Sequence, residues 1–189
     1  MASLNHKTYS ERMASVFTHP APALALAMAF GPKVISPRLA VAAVVISLLP
    51  DLDVIGFKFG VRYAEMLGHR GLSHSLLFAL GVSLFGALAA PLLKSGARTV
   101  ILFFFTVLLS HIVLDAMTTG GLGVAFFWPL SETRYFLPWR PIAVSPFSVD
   151  AFFSERGLAV ILSELQWVWA PCAFLAFFGY AVRRTQPGA

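Results

Sequence analysis

The sequence has little charge and almost no cysteine. Only 12% of its 189 residues are Asp, Glu, Lys or Arg, while 58% are hydrophobic; a soluble domain carries about a quarter charged residues. That scarcity excludes an ordinary water-soluble fold and points to a chain dissolved in a bilayer. The single cysteine, Cys172, excludes an intramolecular disulfide, and its apolar neighbours suit a packing role. Acidic residues number 9 against 14 Lys and Arg, for a net charge of +5. The cations lie scattered between apolar runs and form no basic stripe, so a nucleic-acid partner is not expected. Residues 1–18 are polar without a long apolar core, so no cleavable signal peptide is expected there, and His6 has no expected role. There is no internal repeat, and the length fits one membrane-embedded domain over residues 1–189.

Apolar sequence is what the chain has in abundance. Five runs, 21–31, 39–49, 72–93, 99–117 and 158–182, read as helices. The last three reach the roughly 19 residues that cross a hydrocarbon core of about 30 Å, and the first two do not. Pro32, Lys33, Pro37 and Arg38 separate the short pair. The expected fold is an all-α polytopic transmembrane bundle, with three full-length spans plus a hairpin of two short apolar helices. Strict alternation then puts Lys33, Arg38, Lys94, Arg98, Arg183 and Arg184 at one end, which is expected to be cytoplasmic because positive loop charges stay inside.

The residues able to bind a metal fall at the opposite end. His19 precedes the first run, Asp51 and Asp53 follow the second, His69 and His74 enter the third, and His111 and Asp115 close the fourth. An Asp near the centre of a membrane helix costs at least ~2.5 kcal/mol, so such groups pair, line a wet cavity or bind an ion. His111 and Asp115 are four apart on a helix and share a face. His69 and His74, five apart, would point about 140° away from each other on one helix, so His69 is expected before the helix begins, in a turn permitted by Gly68 and Gly71. After Pro50, Asp51 and Asp53 are expected on one side of an extended turn, one carboxylate bridging metals while the other orients water. Mixed imidazole and carboxylate ligands suit Zn, Mn or Fe better than Ca, and the missing cysteine ligands argue against a closed structural zinc site. Seven candidates are more than one tetrahedral ion uses, so one or two ions are expected. Thirteen residues separate Arg98 from His111 and Arg38 from Asp51, about 20 Å of helix. That is less than a full core, so the site is expected slightly inside the outer leaflet, within reach of membrane lipids.

The stretches "LPDLDV", "GHRGLSHS" and "LLSHIVLDAMTTGGLGV" resemble the YdjM/YbcI-type family of bacterial inner-membrane proteins, nearest its YbcI branch. The likeness extends through "FKFGVRY", "FFWPLSETRYFLPWRPIAVSPFS" and "SELQWVWAP", so it spans almost the whole chain. It implies a membrane-bound metal-dependent hydrolase in the inner membrane, with its site on His19, Asp51, Asp53, His69, Arg70, Ser73, His74, His111 and Asp115. Ser73 stands where threonine is common in the family, which keeps a hydroxyl for substrate. Arg70, between His69 and Ser73, is the expected cation for a developing negative charge, and a guanidinium can hold phosphate oxygens bidentately. Arg134 and Arg140, in the long segment after Asp115, are expected to bind substrate, and the glycine-rich turn at Thr118 to let it approach the backbone. The HxxxD element in a helical setting is also similar to zinc-dependent phospholipase C. Together these give an expected hydrolase, facing the periplasm, acting through metal-activated water on a phosphoester-containing lipid or lipid-linked substrate. The alternative is a metal-ion transporter or a metal-binding membrane protein without hydrolytic activity.

Overall fold

The computed structural model describes residues 12–13, 18–146 and 155–185; most of the polar segment 1–18 and its His6 lie outside the described residues. Among the described residues the regular structure is helical apart from a two-residue antiparallel pairing of Arg12–Met13 with Ser145–Pro146 and two isolated bridges, Thr118 with Ile142 and Val124 with Tyr135.

Helix α1, Pro20–Phe30, begins on a proline, whose missing N–H costs nothing in a first turn. It ends at Gly31, where a positive φ of 75° stops it. Helix α2, Pro37–Ile46, starts in the same way behind Ser36, whose Oγ accepts the Leu39 N–H at 3.1 Å. Pro50 lacks the donor that would continue the α-helical ladder, and the chain proceeds as a 3₁₀ helix, Pro50–Phe59, up to Gly60. A short 3₁₀ turn, Leu72–His74, then precedes α3, Leu76–Gly86, capped by Ser75. Helix α4 is Ala97–Ala116. Helices α5, Glu155–Glu164, and α6, Ala170–Thr185, are joined through a π-helical turn, Leu165–Trp169.

Three of these stretches are long and apolar enough to cross a membrane: Pro37–Phe59, Ala97–Ala116 and Glu155–Thr185. The expected number of spans stands, but one member is exchanged. The run 72–93 is regular α-helix only from Leu76 to Gly86, because its first residues serve the polar cluster and its last turns loosen into 3₁₀ geometry before Pro91. The second run gains length instead, since the 3₁₀ segment after Pro50 extends it. The short apolar helices are therefore Pro20–Phe30 and Leu76–Ala89.

Helix α1 runs parallel to α6 and packs closely on it through its small residues, with Ala21, Ala23, Ala25 and Ala29 all buried. A Cβ at Gly179 would come within 2.5 Å of the Ala29 Cβ, so this crossing depends on bare backbone, as small-residue contacts between membrane helices do. Arg183 fastens the far end of the pair, donating to the carbonyls of Ala29 at 2.9 Å and Met28 at 2.7 Å. Nearby, Arg38 donates to the Leu92 carbonyl at 3.1 Å and the Ser36 hydroxyl to that of Leu93. These contacts gather the turns around Lys33, the turn at Lys94 and the end of α6 at one pole of the bundle. Leu39, Ala43, Val100, Phe103, Phe104 and Val107 fill its middle. Large apolar side chains such as Val41, Phe85, Leu88, Phe174 and Phe177 face outward, an arrangement that lipid tolerates and water does not.

Candidate metal centre

At the opposite pole, His19, Asp51, His69, His74, His111 and Asp115 converge, and all six are buried. Each arrives by a local device. His19 ends the turn before α1. Asp51 lies in the first turn of the 3₁₀ helix, where a negative charge is favoured. His74 sits in the 3₁₀ turn ahead of α3, while His111 and Asp115 occupy one face of the last turns of α4.

Hydrogen bonds fix which ring nitrogens face inward. His111 Nδ1 lies 2.8 Å from the Ser47 carbonyl oxygen; a carbonyl only accepts, so Nδ1 carries the proton and Nε2 a lone pair. His69 Nδ1 is 2.8 Å from Asp53 Oδ1, and His74 Nδ1 is 3.2 Å from Asp53 Oδ2. The same logic puts a proton on Nδ1 of both rings, so that in a neutral ring Nε2 is the nitrogen with the lone pair. His74 Nε2 and His111 Nε2 consequently face each other at 3.1 Å, with Asp115 Oδ2 3.0 Å from the former. His19 stacks on His111 with ring centroids 3.7 Å apart, and its Nε2 is 3.8 Å from Asp51 Oδ2 and 3.9 Å from Asp115 Oδ1.

Several of these buried atoms have no hydrogen-bond partner: both nitrogens of His19, Nε2 of His69, and Oδ2 of Asp51 and of Asp115. Buried polar atoms left unpaired cost about 1–3 kcal/mol each, more when charged. Here they aim at common points. One ligand atom from each of His19, Asp51, His111 and Asp115 lies within 4.8 Å of the others, and the same holds for Asp51, His69 and His74. The cluster and its surroundings hold three buried carboxylates, Asp51, Asp53 and Asp115, against one fully buried guanidinium, that of Arg70, which pairs with Asp115. With neutral imidazoles the cluster keeps two negative charges in excess, which a divalent cation would balance. Donor type, convergence and charge all fit such an ion.

Asp53 stands apart from both groups, contrary to the expectation that it ligates beside Asp51. On a 3₁₀ helix successive residues turn by about 120°, so positions two apart cannot share a face as they would on an extended strand. Asp51 enters the cluster, whereas Asp53 accepts from His69, from Ser73 Oγ at 2.6 Å and from the Arg70 backbone N–H at 3.2 Å. It orients two imidazoles from behind, the familiar second layer of metal sites. Asp53→Asn is expected to weaken metal affinity by about 10–100-fold without unfolding the protein, measurable by competition with a chromogenic chelator; unchanged affinity would contradict this placement.

The structure also engages the expected substrate-binding groups within the protein. Arg70 is fully buried, with Nη1 donating to Thr118 Oγ1 at 2.9 Å and the Gly120 carbonyl at 3.0 Å, and Nη2 to Asp115 Oδ1 at 3.0 Å. It holds Asp115 rather than reaching outward. Its backbone takes a left-handed φ of 64°. Gly68 and Gly71, expected to permit the turn before His74, do so by lacking a side chain: a Cβ at either would come within about 2.2 Å of a carbonyl, that of Arg62 or of Met66. Arg134 donates to the carbonyls of His69, Tyr63 and Glu65 and so clamps the segment leading into the cluster. Arg140 is exposed, stacked 4.7 Å over the Phe136 ring. Ser73, through Asp53, braces the histidines.

Some participants were not visible as such in the sequence. Ser47 acts through its carbonyl, which no residue pattern announces, and Thr118 and Gly120 anchor Arg70 from the turn expected to meet substrate. Tyr63 packs edge-on against His69 at 5.4 Å, and burial pushes its phenol above the usual pKa, which keeps it neutral.

The sequence matches the family described as YdjM inner membrane protein over residues 13–187. The Inner membrane protein YbcI of Escherichia coli (strain K12) is 45% identical over 160 residues, 84% of this chain and 92% of that protein. No solved structure matches.

Proposed function

The chain belongs to the YdjM inner membrane protein family, and on that premise we propose that it is a membrane-bound metal-dependent hydrolase cleaving a phosphoester in a lipid or lipid-linked substrate. The observation that carries this reading is the convergence of unpaired, buried imidazole and carboxylate atoms on common points. A bound divalent metal, with zinc the best fit to these donors and manganese or iron next, supplies acidified water and polarises a phosphoryl oxygen. The chain does the rest. His111 and His74 are held with Nε2 inward by Ser47 and Asp53; Arg70 holds Asp115 in place; and Asp51, with Oδ2 unpaired, turns its carboxylate toward the same point.

Two features support a lipid substrate at the periplasmic face. The basic pole around Lys33, Arg38, Lys94 and Arg183 lies away from the cluster, and the positive-inside rule makes that pole cytoplasmic. A groove between α2 and α3 is lined by Ile46, Leu49, Phe78, Gly81, Val82 and Phe85; Ile46 and Leu49 are within two residues of Ser47 and Asp51, and Phe78 follows His74 by about one turn, so an acyl chain lying in it would bring its head group toward the cluster. Transport of the ion is disfavoured by the apolar middle of the bundle, where the hydroxyls of Ser83, Thr106 and Ser110 are engaged by carbonyls of their own helices.

The test is incubation of metal-loaded protein in nanodiscs with a bacterial lipid extract, followed by mass spectrometry. A phosphoester lipid should disappear with wild type and persist with Asp51→Asn; a lipidome unchanged by the wild type would end the hydrolase reading. Gly81→Phe probes the groove, because a Cβ there meets nothing within 4 Å and the side chain it starts would occupy the groove. Its expected effect is a fall in lipid cleavage on the order of tenfold, equivalent to about 1.4 kcal/mol, with metal content unaltered.

A further inference from the structure

The six converging side chains exceed what one tetrahedral ion engages, and they divide into two groups that share a single member, Asp51. We propose that the cluster is a dinuclear centre bridged by Asp51, with one divalent cation on His19, His111 and Asp115 and a second on His69 and His74. The proposal rests on the cluster being a metal centre, and not on its being hydrolytic.

Asp51 is placed to bridge. Its Oδ2 faces His19 Nε2 at 3.8 Å, while Oδ1 faces His74 Nε2 at 3.7 Å and His111 Nε2 at 3.6 Å. Oδ1 thus lies between one ring assigned to each ion, His111 and His74. The second group has its own signature in His69. This ring is fully buried, its Nδ1 is held by Asp53, and its Nε2 has no partner. A histidine needed only for packing would not be held in one tautomer by a carboxylate with its other nitrogen left unpaired in the interior. Asp53 orients His69 and His74 together, so the two rings assigned to the second ion share one support, whereas His111 takes a separate support from Ser47. One dication would neutralise the cluster; two would leave it two positive charges in excess, which an anionic ligand would complement.

Zinc content per chain, determined by elemental analysis of the full-length protein dialysed against limiting free zinc, tests this directly. Two zinc ions per chain are expected for wild type, and one for His69→Ala. One ion per wild-type chain at saturation, or an undiminished content in His69→Ala, would overturn the proposal. Manganese gives a readout that survives a poorly folding alanine variant. In His69→Gln loaded with Mn(II), electron paramagnetic resonance should show the hyperfine pattern of an isolated ion. Wild type should show the broadened spectrum of two spins coupled through a shared carboxylate, and an isolated-ion spectrum from fully loaded wild type would refute the bridge. Two bound ions with no lipid cleaved would leave this proposal standing and remove the hydrolase reading.

Discussion

His111→Ala is expected to reduce metal affinity by more than about a hundredfold, beyond the 10–100-fold typical of losing an outer support, and to bring lipid cleavage to background. The side chain is fully buried, its Nε2 lies among the inward atoms of His74, Asp51 and Asp115, and its Nδ1 satisfies the Ser47 carbonyl. Alanine removes the donor and leaves that carbonyl without its partner. Thermal unfolding in detergent separates the two effects. A ligand at one hundred times its Kd stabilises the folded state by about 2.7 kcal/mol, so wild type should melt at a distinctly higher temperature with zinc than with chelator. The variant should lose that difference while its chelated form melts only modestly below chelated wild type. A zinc-dependent shift of wild-type size in His111→Ala would remove His111 from the centre.

Arg70→Met should be the most destabilising single change in the cluster. Removing one partner of a buried ion pair costs about 3–5 kcal/mol, because the remaining charge is stranded. Arg70 has this relation to Asp115 at 3.0 Å, and it also donates to Thr118 and Gly120. A second replacement separates charge from packing. Arg70→Met with Asp115→Asn should recover part of the lost stability, since no unpaired carboxylate remains, but should not recover metal binding. If the double variant is as unstable as the sum of the two single ones, the guanidinium acts chiefly through the turn at Thr118. Arg70→Lys is expected to fall near the methionine variant, because an ammonium cannot reproduce the planar fork that serves three acceptors.

The sequence made the cluster legible wherever spacing alone decides geometry. His111 and Asp115, four apart on an unbroken helix, converge as their spacing requires, and alternation of the apolar runs brought His19, Asp51 and His74 to the same pole. What it concealed depends on local backbone. Pro50 turns the following residues into a 3₁₀ helix, and that separates Asp53 from Asp51 although the two are nearly adjacent. Apolar length pointed to 72–93 and not 39–49 as the long element, and the structure reverses this because the same proline lengthens one helical stretch while the polar needs of His74 shorten the other. Arg70 looked like an outward cation because nothing in its neighbours foretold Asp115, 45 residues away, as its partner.

The two short helices have a consequence for the membrane itself. Helices α1 and α3 have 11 residues each, about 16 Å of a core near 30 Å thick. A bilayer that thins to meet such stubs would set the cluster at the floor of a dimple. Below that floor, Leu39, Ala43, Phe103 and Phe104 close the bundle. Among the described residues, that apolar packing separates the charged cluster from the basic pole and insulates it from that face of the membrane.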